Sequence, residues 1–154
     1  MCETGQETEL MEGALAEAEM SYAAGGVPVG AVMAVEGRVI GRGHNRRVQD
    51  GNPMSHGETQ CVMNVGRRAE GYRNVTMYTT LAPCMMCAGT IVMLGIPRVV
   101  VGENVNYAGE LDFLRDRGVD VTVMAHQPCI DLMAKFIAER PDLWNEDIAV
   151  VDDE

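Results

Sequence analysis

Ser55-His56-Gly57-Glu58 and Pro83-Cys84-Met85-Met86-Cys87 are the two stretches from which this chain is best read. Together they supply one imidazole, two thiols three residues apart, and a carboxylate two residues past the imidazole. At i and i+3 on a helix, the sulfurs of Cys84 and Cys87 project from one face about a turn apart. Pro83 suits the first turn of that helix, where a missing N–H costs nothing. The dipole at a helix N-terminus lowers thiol pKa values, so both sulfurs can bind a metal as thiolates. Ser55 is the expected N-cap of a second helix, with His56 near its start. Two helix N-termini can then converge on one ion held by His56, Cys84 and Cys87. Three protein ligands leave a fourth tetrahedral position open, which is the arrangement of a catalytic rather than a structural zinc site. Glu58 stays off the metal and is the expected carrier of protons.

Each part has a plainer reading when taken alone. Ser55 and Glu58 also spell a capping box, in which the carboxylate would only bond the N-cap amide. A lone C-x-x-C could be a redox pair or half of a closed zinc knuckle. The parts occur jointly, in order, with Pro83 directly before the first cysteine. That combination is the signature H-x-E…P-C-x-x-C of zinc-dependent nucleobase deaminases. No second C-x-x-C and no H-x-x-x-H is present to close a structural site.

Outward from this pair, hydrophobic periodicity sets the flanking elements. Leu10, Ala14, Leu15 and Ala18 predict an amphipathic helix over 9–24, ended by Gly25-Gly26. Residues 27–35 and 38–43, joined by Glu36-Gly37, read as a hairpin. The metal helix is expected over 55–70, a strand over 75–81, the Cys84 helix up to Leu94, and a strand over 97–102. The Val99-Val100-Val101 run implies burial on both faces, as in a parallel or mixed sheet. A helix within 106–118, a strand over 119–124 and a helix over 128–139 complete the order. This pattern predicts an α/β protein with a five-stranded mixed sheet and helices on both faces, a three-layer α/β/α sandwich. The expectation is one domain over 1–154, with about eight residues at the N-terminus and about five at the C-terminus frayed.

Composition narrows the partners. Twenty-three acidic against 12 basic residues leave a net charge of −11, the wrong sign for a phosphate-binding surface. A small neutral substrate is favoured over nucleic acid. The acidic start of the chain has no apolar core of a signal peptide, and no apolar run approaches the roughly 20 residues of a membrane span. Five cysteines without a disulfide pattern suit a reducing cytoplasm.

The chain resembles the yeast-type cytosine deaminases from about Gly13 to Asp147. The matching stretches include Gly25-Gly26-Val27-Pro28, Gly41-Arg42-Gly43-His44-Asn45, His56-Gly57-Glu58, Tyr78-Thr79-Thr80-Leu81, Gly95-Ile96-Pro97-Arg98 and a tail with Trp144 and Glu146-Asp147. The resemblance implies the cytidine deaminase fold, a homodimer, one zinc per subunit, and conversion of cytosine to uracil with release of ammonia. It also implies roles by position. The Asn45 side-chain N–H and the Gly57 backbone N–H would bond the ring carbonyl, Asp147 would accept the ring N–H, and the Ala82 carbonyl would meet the departing amine. Trp144, Tyr107, Leu81, Val48 and Val29 would wall the pocket. The family carries Phe at the positions matching Val48 and Tyr107, so one side of the pocket is reshaped. Isocytosine is the alternative substrate, although it would leave Asp147 without a ring donor. A tRNA or nucleotide deaminase and a non-catalytic zinc module are the remaining readings.

Overall fold

The computed structural model describes residues 2–150, so the fraying expected for 151–154 lies outside the described residues. Twelve elements follow one another: α1 (Cys2–Ala23), β1 (Gly30–Val35), β2 (Arg38–His44), α2 (Arg47–Asp50), α3 (Gly57–Val65), β3 (Val75–Thr79), α4 (Met85–Leu94), β4 (Arg98–Val101), α5 (Leu111–Asp116), β5 (Asp120–Val123), α6 (Gln127–Glu139) and α7 (Pro141–Asp147). The five strands form one sheet in the order β2-β1-β3-β4-β5. β1 pairs antiparallel with β2 and β3, whereas β3, β4 and β5 run parallel. The mixed sheet expected from the sequence is therefore present. Each parallel step is made by a crossover helix, α4 and then α5, as parallel strands require.

Alternation along β1 divides the core. Ala31 and Met33 face a cluster with Cys61 of α3, Ile91 of α4 and Leu114 of α5. Val32 and Ala34 face the opposite side, with Leu10, Met11 and Ala14 of α1 and Cys129 of α6. Successive strand residues point to opposite faces, so this split is what makes three layers. Val99, Val100 and Val101 are fully buried, as a strand covered on both faces requires. A third cluster, of Val27, Val29, Leu81, Met133, Phe136 and Trp144, lies between α6, α7 and the residues flanking β1 and β3.

Several boundaries differ from the sequence reading. α1 begins at Cys2 rather than near Glu9. α3 stops at Val65 because Gly66 turns the chain with φ 78°, so the helix ends five residues earlier than expected. The segment after β2 and the C-terminal tail each contain a short helix, α2 and α7, where the sequence reading placed no element. α3 lies directly on β2: a Cβ built on Gly43 would sit 2.5 Å from the Cys61 amide nitrogen. Only glycine lets the helix carrying His56 and Glu58 come this close to the sheet.

Candidate active site and metal centre

His56 is the N-cap of α3 and Cys84 the N-cap of α4. Both caps fall one or more residues later than expected, since Ser55 precedes the first cap and Pro83 lies just outside α4. The capping-box explanation of Glu58 fails on geometry. The His56 amide donates to Thr59 Oγ1 at 3.0 Å, so the threonine closes the helix start and the Glu58 carboxylate is free for other work. Glu58 is 3% exposed. Thr79 Oγ1 donates to its Oε1 at 2.6 Å and fixes the carboxylate. Burial, followed by the negative Cys84 beside it, raises the Glu58 pKa above the usual carboxylate range.

The two helix starts bring the three expected ligands together. His56 Nδ1 lies 3.4 Å from Cys84 Sγ and 3.6 Å from Cys87 Sγ, and the three donor atoms fall within 4.8 Å of one another. Zinc–sulfur and zinc–nitrogen bonds of about 2.3 and 2.0–2.1 Å at tetrahedral angles put such atoms about 3.6 Å apart. The donor set, two thiols and one imidazole, has the softness and the spacing that zinc takes. Of the two thiols expected to be lowered, only Cys84 is. The hydrogen bond from Cys87 drives the Cys84 thiol down to about 4, while the Cys87 thiol is raised well above its ordinary value by that same pairing and by burial. Burial would lower the His56 imidazole, but Asp147 and Cys84 outweigh it and lift His56 to about 10.

These groups border a cavity of about 420 Å³. Of the candidate site residues, Val29, Asn45, His56, Glu58, Leu81, Ala82, Cys84, Tyr107, Trp144 and Asp147 line it. Cys87 is fully buried behind the lining. Gly57 and Val48 are not among the lining residues. For Val48 this is a correction: it is 39% exposed on α2, and its neighbour Arg47 lines the cavity instead. The four-residue helix, unforeseen in the sequence, turns Val48 outward. Arg47, Pro53, Met85, Met86, Glu146, Ile148 and Ala149 also border the cavity and were not anticipated. The two methionines follow the first cysteine directly, so their place at the start of α4 could have been inferred from the motif. Nothing in the sequence marks Thr79 apart from its neighbour Thr80.

Two polar side chains are set to read a ligand. Asn45 is 1% exposed. Its Oδ1 accepts the Arg47 N–H at 2.9 Å, which orients the amide so that its NH₂ remains available to the cavity. Asp147 Oδ1 is buried without a hydrogen-bond partner, although His56 Nε2 is 3.2 Å away and Arg47 Nε 3.5 Å away. A buried unsatisfied carboxylate oxygen at a cavity wall is an acceptor waiting for a donor. Trp144 and Tyr107 meet edge to face, with ring centres 5.9 Å apart, and close the apolar side.

Residues 4–103 match the family described as "Cytidine and deoxycytidylate deaminase zinc-binding region". The chain is 47% identical over 137 residues to a cytosine deaminase of Candida albicans, covering 88% of this chain and 91% of that protein. It is 33% identical over 111 residues to a tRNA-specific adenosine deaminase of Streptococcus pyogenes, covering 71% of this chain and 65% of that protein. Among solved structures, one from studies of A-to-I editing by tRNA:A34 deaminases superposes with a TM-score of 0.71 at 28% identity, over 81% of this chain and 99% of that chain.

Proposed function

Because the chain belongs to the cytidine and deoxycytidylate deaminase family, we infer that it is a zinc-dependent hydrolase that converts cytosine to uracil and ammonia. The observation that carries this reading is the joint placement of the His56, Cys84 and Cys87 donors, the buried Glu58 and the unsatisfied Asp147 oxygen around one cavity. The match to the Candida albicans cytosine deaminase over almost its whole length supports the choice of base.

His56 Nδ1 and the sulfurs of Cys84 and Cys87 hold the metal. Zinc, when bound, supplies Lewis acidity that makes water nucleophilic at neutral pH. Glu58 takes a proton from the attacking water, delivers it to ring N3 and so makes the amino-bearing carbon more electrophilic. It then takes the second proton from the added hydroxyl and passes it to the amine, so that the C=O bond forms as the C–N bond breaks and ammonia leaves; one carboxylate serves as base and acid in turn. Thr79 keeps the working oxygen oriented through both transfers. Asn45 Nδ2 donates to the ring carbonyl. The Gly57 N–H, the first of α3 and without an intrahelical partner, assists there. Asp147 accepts the ring N1–H, and the Ala82 carbonyl meets the amine. Trp144, Tyr107, Leu81 and Val29 exclude water from the ring faces.

Asp147 favours cytosine over isocytosine, because the latter ring would present a C–H to the unsatisfied oxygen. The net charge of −11 weighs against a polynucleotide substrate. The reading extends to a single domain acting as a homodimer in the cytoplasm, in pyrimidine salvage. Exposed Met63 and Met93 on α3 and α4 offer apolar surface for pairing two copies, and the four described cysteines are all unpaired, as a reducing compartment requires. Steady-state kinetics on cytosine, isocytosine and an adenosine-bearing tRNA stem-loop test the substrate. The expected result is turnover of cytosine with the highest kcat/KM; turnover of isocytosine or RNA without cytosine would overturn it.

A further inference from the structure

α7 brings both Trp144 and Asp147 to the cavity and follows α6 through Arg140, which caps α6 and α7 alike. Its apolar side packs through Trp144 and Leu143 into the cluster with Val27, Leu81 and Phe136. On its polar side, among the described residues, the ion pairs reaching other elements come from His56 and Arg47. Arg47 Nη1 lies 2.8 Å from Glu146 Oε1, and Arg47 Nε lies 3.5 Å from Asp147 Oδ1. The Arg47 side chain is 17% exposed, whereas Glu146 is 57% exposed. The same residue gives its backbone N–H to Asn45 Oδ1. One arginine therefore touches both groups that read the base: Asn45 through its amide, Asp147 through its guanidinium.

We propose that Arg47 is a positioning residue that latches α7 across the cavity and so sets Asp147 and Trp144 over the bound base. It rests on the base-deaminase reading for the identity of the ligand, but not for the latch itself. The planar fork of arginine fixes its donors in direction, so that Nη1 faces Glu146 while Nε faces Asp147, whereas the ammonium of lysine gathers its donors on one flexible atom. Glu146 is the outer half of the latch, exposed enough to be screened by salt, and Asp147 the inner half. Arg46, next in the chain, pairs instead with Asp50 inside α2 at 2.9 Å and takes no part.

The protein supplies its own probe, since Trp144 is its one tryptophan and lies on α7. The test compares zinc-loaded wild type, Arg47→Gln, Arg47→Lys, Glu146→Gln and, as control, Arg46→Gln. Trp144 emission and acrylamide quenching are read at low and high NaCl, beside steady-state kinetics on cytosine. In Arg47→Gln, emission should move to the red, quenching should rise, and KM should rise about tenfold with kcat changed by less than about threefold. Arg47→Lys should recover part of the KM loss, and Glu146→Gln should reproduce the quenching change in smaller measure. High salt should loosen Trp144 in wild type and leave Arg47→Gln unaltered. Wild-type quenching and KM in both Arg47→Gln and Glu146→Gln would overturn the latch. So would a loss confined to kcat with Trp144 undisturbed, which would put Arg47 in the chemistry. Should wild type fail to deaminate cytosine, the functional reading falls, and the fluorescence arm still decides the latch.

Discussion

At the scale of single residues, the site is built from groups whose neighbours leave them one task each. Thr79 is the plainest example. Its hydroxyl is fully buried and spends its proton on Glu58 Oε1. Thr79→Val removes a hydrogen bond to a buried charged group, worth about 1.5–3 kcal/mol. The expected outcome is a kcat lowered roughly 10- to 100-fold with zinc content unchanged, and Thr79→Ser should restore most of the loss. Zinc analysis beside steady-state kinetics checks it. The cluster of three donor atoms, the carboxylate beside it and most of the cavity lining were legible in the sequence because metal chemistry ties residue type to spacing. Thr79 was not legible, because a threonine in a strand is ordinary and only the fold brings the end of β3 within reach of Glu58. Val48 was misplaced for the opposite reason. A position in a family pattern says which wall a residue belongs to, but a four-residue helix decides which of two neighbours, Arg47 or Val48, faces inward.

At the scale of elements, the strands and long helices followed from periodicity, and the errors gathered at short helices and helix ends. α2 and α7 are too short to carry a repeat of 3.6, so no pattern announces them. α3 reads as helical past its end, and a single glycine with positive φ at position 66 stops it. How α3 seats against β2 depends on another glycine. In Gly43→Ala the added methyl meets backbone at 2.5 Å, and backbone cannot rotate away. The helix must lift from the sheet, carrying His56 and Glu58 with it. The expected cost is about 1–3 kcal/mol of stability, as for other overpacked sites, measured by urea unfolding. Zinc affinity should fall in the same variant, because the imidazole moves relative to the two sulfurs. An unchanged unfolding midpoint would contradict this account of the contact.

At the scale of the whole molecule, the metal and the buried thiols tie stability to conditions. The zinc site joins α3 to α4, two helices that begin on separate loops, so metal binding is linked to folding. Removal of zinc with a chelator should lower the melting temperature, and re-addition should restore it. Burial pushes the Cys61 and Cys129 thiols up to about 12. An unfolded chain gives up these protons near the ordinary value of 9.0, while the native state keeps them. The unfolded state then binds fewer protons, and stability falls as pH rises. The contribution is fully present below about pH 9 and is lost progressively towards pH 12. Urea unfolding across this range should show that decline, and Cys129→Ala should make it shallower.

The central claim is that a buried glutamate beside a His-Cys-Cys zinc site moves the protons of a base hydrolysis. The most direct measurement is ammonia release from cytosine by wild type and Glu58→Gln, each with its zinc content determined. The account predicts equal zinc in both, one uracil per ammonia from wild type, and a rate for Glu58→Gln lower by at least about a thousandfold. Comparable turnover by a Glu58→Gln enzyme carrying its full zinc would contradict it.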